Sequence, residues 1–133
     1  MNYYYLLQFK ADVKKLQKKN HYKQVIKDIL QFLTNKPKQQ LIQQNILIKE
    51  NDGIELYKCR IANSLSNKGK QGGYRFYIAF DALDSEKLIV CLTYPKDGPK
   101  AQTNLTDSGA EQLLKAIDTT TVKLDSLDSL NSW

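Results

Sequence analysis

Three apolar stretches in the middle of the chain decide its fold: IELYKCRIA at residues 54–62, GYRFYIAF at residues 73–80 and KLIVCLTY at residues 87–94. β-Branched and aromatic residues dominate each stretch, which is typical of β-strands. A polar loop at 63–72 and a turn at 81–85 join them, and connections this short predict an antiparallel meander. Because the third stretch is apolar nearly throughout, we expect it to be central in the sheet and covered on both faces.

The N-terminal part of the chain predicts a strand followed by a helical hairpin. Residues 3–7, YYYLL, are aromatic and apolar and indicate a short strand. Two segments with apolar residues at helical spacing follow, separated by Asn20 and His21, and Pro37 ends the second. The apolar positions are Phe9, Val13 and Leu16 in the first segment, and Tyr22, Val25, Ile26, Ile29, Leu30 and Leu33 in the second.

The remaining segments predict little regular structure apart from one more helix. Residues 36–50 are rich in glutamine, and we expect an irregular connector there. Ser108 followed by Glu111 predicts a capping box that opens a short C-terminal helix. We therefore expect one α+β domain over residues 1–118, followed by a flexible, polar and acidic tail over residues 119–133.

Composition bounds the class of protein. With 133 residues, 41% of them hydrophobic, the chain is large enough to bury one core. No apolar run reaches the roughly 18 residues of a membrane span, and the N-terminus lacks the pattern of a signal peptide, so we expect a cytoplasmic protein. Cys59 and Cys91 lie inside apolar stretches and predict buried, reduced thiols. With no CxxC pair and His21 as the one histidine, the sequence favours no metal site.

The charge is positive and unevenly distributed. The net charge is +6, with a strongly basic first third and an acidic last quarter. This balance suits a polyanionic or an acidic protein partner, although a general abundance of lysine produces the same balance. Of the 20 basic residues only Arg60 and Arg75 are arginines. A guanidinium holds phosphate through two hydrogen bonds whereas lysine acts as a point charge, so both arginines indicate a phosphate site.

Strand alternation predicts that the basic residues of the meander share one face. Side chains alternate across a strand, so Lys58 and Arg60 lie opposite the apolar face of the first stretch, and Arg75 and Tyr77 opposite that of the second. If the apolar faces pack on the helices, these four side chains emerge together on an open face. The glycine-rich loop 67–73 adds Lys68 and Lys70, and Tyr94 and Lys96 end the third stretch. Such a patch suits phosphate binding, although charged residues also occur on exposed sheet faces without any function.

The same residues form an ordered series of short motifs between roughly Lys58 and Ile117. The motifs are Leu56-x-Lys58-x-Arg60-x-Ala62, Lys68-Gly69-Lys70-x-Gly72-Gly73-x-Arg75, Tyr94-x-Lys96 after an apolar strand, and Asn104-Leu105-Thr106 at the start of a helix. This order resembles the RelE/HigB family of toxins from bacterial type II toxin–antitoxin pairs. The resemblance implies a RelE-like fold, in which an N-terminal strand and a helical hairpin pack on a small, twisted, mainly antiparallel sheet with a short C-terminal helix.

The resemblance also implies an activity and its residues. Members of the family are ribosome-dependent endoribonucleases that cut mRNA without a metal or cofactor, through attack of a 2′-hydroxyl on the adjacent phosphate. Lys58, Arg60 and Arg75 would then bind the scissile phosphate, with Tyr77 or Tyr94 stacking on a base or relaying a proton. The expected RNA-binding residues are Lys68, Lys70, Tyr94 and Lys96.

The identity of the general base stays open in this comparison. A lysine near its ordinary pKa of about 10.4 is a poor base unless burial or neighbouring cations lower it. The cluster of Lys58, Arg60 and Arg75 is of the kind that lowers a lysine pKa.

The resemblance implies three partners, namely a cognate antitoxin, the ribosome and mRNA, and it implies neither a membrane nor a metal. Two other functions stay open because one fold hosts several activities. The first is a non-catalytic module that binds nucleic acid or protein. The second is a toxin of this fold that acts on gyrase.

Overall fold

The computed structural model describes residues 1–98, 102 and 104–133, which form one α+β assembly of six strands and four α-helices. The strands are β1 (Asn2–Leu6), β2 (Ile46–Asn51), β3 (Ile54–Ile61), β4 (Tyr74–Asp81), β5 (Asp84–Pro95) and β6 (Thr121–Lys123). The helices are α1 (Leu7–Gln17), α2 (Val25–Leu33), α3 (Lys38–Gln44) and α4 (Asp107–Thr120). Two short 3-10 helices cover Asn20–Tyr22 and Leu127–Ser132.

The six strands form one sheet in the order β2-β3-β4-β5-β1-β6. The predicted meander is confirmed, since β3 pairs antiparallel with β4 and β4 pairs antiparallel with β5. β1 pairs parallel with β5 and is the exception to the antiparallel pattern. The chain continues from β1 directly into α1. The expected N-terminal strand, the two helical segments and the central, covered position of β5 are likewise as predicted.

Helices cover both faces of the sheet. Phe9 of α1 and Phe32 of α2 contact Phe76 of β4, each with ring centroids 6.1 Å apart, which fixes the helical hairpin on one face. The predicted amphipathic pattern explains this packing, because Val25, Ile29 and Leu33 are all buried. α4 contacts β1, β2 and β3, and its buried residues are Ala110, Leu114 and Ile117.

Both cysteines are free and buried, as expected from their strands. Burial raises the pKa of the Cys59 thiol to about 12, and it also raises that of Cys91, so both thiols are protonated and unreactive near neutral pH. In the described part of the chain, no helix has both the length and the apolar character that crossing a bilayer requires.

The prediction of an irregular connector at residues 36–50 is wrong, because this segment contains α3 and β2. Leu41 is buried and anchors α3, and β2 forms a hairpin with β3 through the turn at Asp52 and Gly53, both of which have positive φ. β2 lies at the edge of the sheet and leaves Ile46, Leu47 and Ile48 exposed. Its apolar residues therefore follow neither the period of a helix nor the in–out alternation of a half-buried strand.

The N-cap predicted for the last helix, Ser108, lies two residues C-terminal to the observed one. The N-cap is Thr106, whose hydroxyl oxygen accepts a hydrogen bond from the backbone amide of Gly109 at 3.0 Å. Ser108 already lies in the first turn of α4. The helix is also longer than expected and ends only at Thr120.

The tail predicted at residues 119–133 is instead part of the fold. β6 pairs with β1, and the amide of Leu124 donates a hydrogen bond to the carbonyl of Tyr3 at 2.9 Å. The 3-10 helix that follows buries Leu130, and the Trp133 ring contacts Tyr5 at a centroid distance of 4.9 Å. The apolar residues that make these contacts are spaced irregularly among polar ones, so they follow no helical or strand period.

Candidate functional site

The strand register brings most of the predicted site residues to one end of the sheet. Lys58 lies opposite Tyr77, Arg60 lies opposite Arg75, and Arg75 lies opposite Tyr94. Residues opposite each other in antiparallel strands share a face, so the predicted alternation is confirmed for Lys58, Arg60, Arg75 and Tyr77, and Tyr94 lies on the same face.

The expectation that this face is open is wrong for three of the residues. Arg75 is 5% exposed, Tyr77 is 1% exposed and Tyr94 is 2% exposed. The hydroxyls of Tyr77 and Tyr94 are 2.9 Å apart and hydrogen-bonded, and the backbone of Leu105 also hydrogen-bonds the Tyr94 hydroxyl. Burial, followed by the hydrogen bond with Tyr77, raises the pKa of Tyr94. Leu105 therefore contacts the pair of rings from the segment before α4, and the burial of both rings leaves neither available for base stacking.

Arg75 holds the glycine-rich loop in place. Its guanidinium donates hydrogen bonds to the carbonyls of Lys70 and Gln71, both at 3.0 Å. The glycines fit the same loop, because Gly69 has a φ of +63° and a side chain at Gly73 would collide with the carbonyl oxygen of Ile61. The Lys68–Arg75 motif thus has a structural explanation, in which one arginine fastens a tight turn to the sheet.

Lys58 lies at the surface of this end and has a neutral hydrogen-bond partner. Its Nζ donates to Oδ1 of Asn104 at 3.0 Å, and the Nζ of Lys96 lies 3.5 Å from the same oxygen. Partial burial, followed by the charges of Arg60, Arg75 and Lys96, lowers the pKa of Lys58. The predicted lowering of a lysine pKa is therefore confirmed in direction, with burial as its larger cause and the cationic cluster as the smaller one.

Lys58 and Arg60 also line a cleft beside the end of β2. Its volume is about 540 Å³. The wall opposite the strands is formed by the end of α2, by α3 and by the loop after β3. The described lining residues are Phe32, Lys36, Gln44, Asn45, Ile46, Lys58, Arg60, Lys70 and Gln71, and among them are four cations and no acid.

Lys68 does not line the cleft of Lys58, Arg60 and Lys70. Its ammonium forms an ion pair with the carboxylate of Asp97, which lowers the pKa of that carboxyl. Lys68 lines a different, smaller cavity of about 110 Å³ beside His21 and Tyr22. The structure thus brings Lys70 to the cluster of Lys58 and Arg60 but leaves Lys68 outside it.

The sequence reasoning missed Asn104 and Lys36 as site residues. Asn104 belongs to the motif before the last helix, but an asparagine in a polar segment carries no signal that it will contact Lys58, 46 positions earlier. Lys36 lies between α2 and α3, in the connector whose structure was wrongly predicted. Within the described ranges, no three His, Cys, Asp or Glu side chains come together as metal ligands.

Comparisons with known proteins leave the site to be interpreted on its own geometry: no protein-family model, no curated protein and no solved structure matches the chain.

Proposed function

We propose that the protein is a toxin of the RelE/HigB kind that cuts mRNA on the ribosome by attack of a 2′-hydroxyl on the adjacent phosphate. The observation that carries the proposal is Lys58, a half-buried lysine with a lowered pKa among Arg60, Arg75 and Lys96. A lowered pKa increases the neutral fraction of the Lys58 amine, and the surrounding cations attract an anionic substrate. The resemblance of the motifs to the toxin family supports the same assignment.

Lys58 is the general base in this proposal. Its neutral Nζ takes the proton from the 2′-hydroxyl, and the 2′-oxygen attacks phosphorus while the 5′-oxygen leaves. The products are a 2′,3′-cyclic phosphate end and a 5′-hydroxyl end. The side-chain oxygen of Asn104 orients Nζ without adding a negative charge that would raise the Lys58 pKa.

Arg60 and Lys96 stabilise the charge that develops on the phosphate. Arg60 is exposed beside Lys58, and its planar guanidinium suits two phosphate oxygens at once. Lys96 shares the Asn104 oxygen with Lys58, so in this mechanism its ammonium supplies the proton to the leaving 5′-oxygen.

Three buried residues, Arg75, Tyr77 and Tyr94, support the site from the protein interior. Arg75 donates to loop carbonyls, and the two tyrosine hydroxyls bond to each other in the interior. We therefore assign these three residues to positioning of the loop and of the segment around Asn104.

The cognate antitoxin would be an acidic, partly extended protein. The edge strand β2 exposes Ile46, Leu47 and Ile48, and the cationic cleft begins at Ile46. A partner segment that adds a strand to this edge would cover the apolar side chains and bring acidic residues to the cleft. Cytoplasmic location follows from the proposed action on ribosomes.

A non-catalytic binding module is the second candidate, and one observation favours it. Arg75 and Tyr77, two of the four residues expected to be catalytic, are engaged inside the protein. A module of this kind would use the exposed cations to bind RNA without cutting it.

Controlled expression in a bacterial host, with primer extension on a reporter mRNA, tests the proposal. We expect wild type to arrest growth and to produce cuts that follow the reading frame. Lys58→Ala should abolish the cuts, and Arg60→Lys should reduce them because lysine lacks the two-pronged contact. Lys27→Ala, at an exposed lysine of α2, is the matched control and should cut like wild type.

Frame-dependent cuts by Lys58→Ala would refute the assigned base. Arrest without cuts would refute the ribonuclease and direct the search to gyrase. RNA binding without arrest or cuts would establish the binding module.

A further inference from the structure

The cleft beside Lys58 has the composition of a nucleotide-binding site. Its four cations are accompanied by three amide side chains, those of Gln44, Asn45 and Gln71. Amides carry both a donor and an acceptor and match the edges of unpaired bases, whereas an acidic peptide would need cations alone. The volume of about 540 Å³ admits a nucleotide.

Lys36 and Lys70 form a second pair of cations at the far wall of this cleft. Both also line the adjoining cavity of about 330 Å³, which continues around the edge of β3. The acid of that cavity, Asp28, is buried, and its carboxylate accepts a hydrogen bond from the amide of Ser64. Burial and the charge of Lys70 lower the pKa of Lys36, and no carboxylate in the described part of the chain pairs with it.

The position of Lys36 is fixed by its surroundings. Its Nζ lies 4.0 Å from the centroid of the Phe32 ring, and Phe32 packs on Phe76 in the core. The backbone of Lys70 is held by Arg75. Two cations with fixed supports therefore face one space, unlike lysines scattered over a surface.

We infer that the cleft binds the nucleotide next to the scissile bond of single-stranded RNA, with its phosphate between Lys36 and Lys70 and its base against the amides of Gln44, Asn45 and Gln71. This inference rests on the proposed function, because it places the nucleotide relative to Lys58. It adds a substrate contact, Lys36, that the toxin resemblance does not include, and it locates base selection in α3 and the loop after β3.

Binding of a 2′-O-methyl RNA oligonucleotide tests the inference independently of cutting, since this probe lacks the attacking hydroxyl. Fluorescence anisotropy across a salt series gives the affinity and the salt slope. Lys36→Ala should weaken binding about tenfold, as expected for one charged hydrogen bond. It should also reduce the salt slope by about 0.7, the value for one phosphate contact on a single strand.

Two controls separate a phosphate contact from a general charge effect. Lys27→Ala removes the same charge from an exposed position of α2 outside the cleft and should change neither quantity. Gln44→Ala should alter the preference among homopolymer probes and leave the salt slope unchanged, because it removes a base contact and no charge.

Equal effects of Lys36→Ala and Lys27→Ala would overturn the inference. So would a failure of wild type to bind the 2′-O-methyl RNA. If Lys36→Ala weakens binding as expected while wild type makes no cuts, the proposed catalysis fails and the nucleotide site stands. If wild type cuts and Lys36→Ala binds and cuts normally, the catalysis stands and the nucleotide site fails.

Discussion

The side-chain oxygen of Asn104 accepts hydrogen bonds from two lysines, Lys58 at 3.0 Å and Lys96 at 3.5 Å. An amide satisfies the Lys58 ammonium as an acceptor but leaves the repulsion from Arg60, Arg75 and Lys96 uncompensated. A carboxylate at the same place would compensate it. The choice of asparagine at position 104 therefore keeps the Lys58 pKa low.

Asn104→Asp should raise the pKa of Lys58. A base works in its neutral form, so a higher pKa moves the rising limb of the pH–activity profile to higher pH and lowers activity at neutral pH. Lysine-selective NMR titration measures the Lys58 pKa directly, without reference to activity. Asn104→Ala serves as the control, because it removes the acceptor and adds no charge. A Lys58 pKa that is unchanged in Asn104→Asp would contradict this account.

Arg75→Ala should destabilise the protein and loosen its loop. The change removes two hydrogen bonds to the carbonyls of Lys70 and Gln71, which corresponds to about 2 kcal/mol of unfolding free energy. Urea denaturation measures the loss, and hydrogen exchange should accelerate at residues 68–73. Arg60→Ala is the matched control, because Arg60 lies opposite Arg75 in the register but is exposed, and it should change stability by less than ~0.5 kcal/mol. A loop that exchanges normally in Arg75→Ala would refute the anchoring role.

For single residues, the sequence predicted the sheet face of each side chain better than it predicted the burial of that side chain. Alternation correctly put Lys58, Arg60, Arg75 and Tyr77 on one face, because the period of two belongs to the strand itself. It did not predict that the last two would be buried, since the covering groups, Lys70, Gln71 and Leu105, come from loops whose paths no local pattern determines.

At the element scale, the start of α4 offers a direct comparison of two caps. Thr106→Ala should cost about 1 kcal/mol of unfolding free energy, because its hydroxyl satisfies the amide of Gly109. Ser108→Ala, at the exposed residue that the sequence pattern favoured as the cap, should cost almost nothing. Chemical denaturation of both variants decides between the two caps. A larger cost at Ser108 than at Thr106 would contradict the observed helix start.

The elements that were predicted correctly from sequence periodicity are those that bury several residues against the core. α2 buries Val25, Ile29 and Leu33 at helical spacing, and β4 buries seven of its eight residues. α3 is only seven residues long with Leu41 as its buried residue, and β2 lies at the sheet edge with its apolar side chains exposed. Neither element buries enough residues to leave a periodic signal.

At the scale of the whole molecule, the C-terminal segment closes the fold over the N-terminal strand. Trp133 contacts Tyr5 and Phe9, and Lys10 lies 5.4 Å from the Trp133 ring centroid. The first and last segments of the domain therefore stabilise each other. The mostly antiparallel α+β class was predictable because the central meander is local in sequence, whereas this contact joins residues more than 120 positions apart.

Leu130→Ala should lower the unfolding free energy by about 3 kcal/mol, because the side chain is 1% exposed and its loss leaves a cavity. The neighbouring Asn131→Ala, at an exposed residue, is the control and should have little effect. Thermal and urea denaturation measure both. Equal, negligible effects of the two changes would show that the segment behaves as the flexible tail that its composition suggested.

Cleavage of an mRNA positioned on purified ribosomes, with EDTA present and the new RNA ends identified, tests the central claim most directly. Wild type and Lys27→Ala should produce a 2′,3′-cyclic phosphate end, and Lys58→Ala, folded as judged by circular dichroism, should produce none. Cutting that disappears with EDTA, ends of another chemistry, or undiminished cutting by Lys58→Ala would contradict the claim that Lys58 catalyses attack by the 2′-hydroxyl.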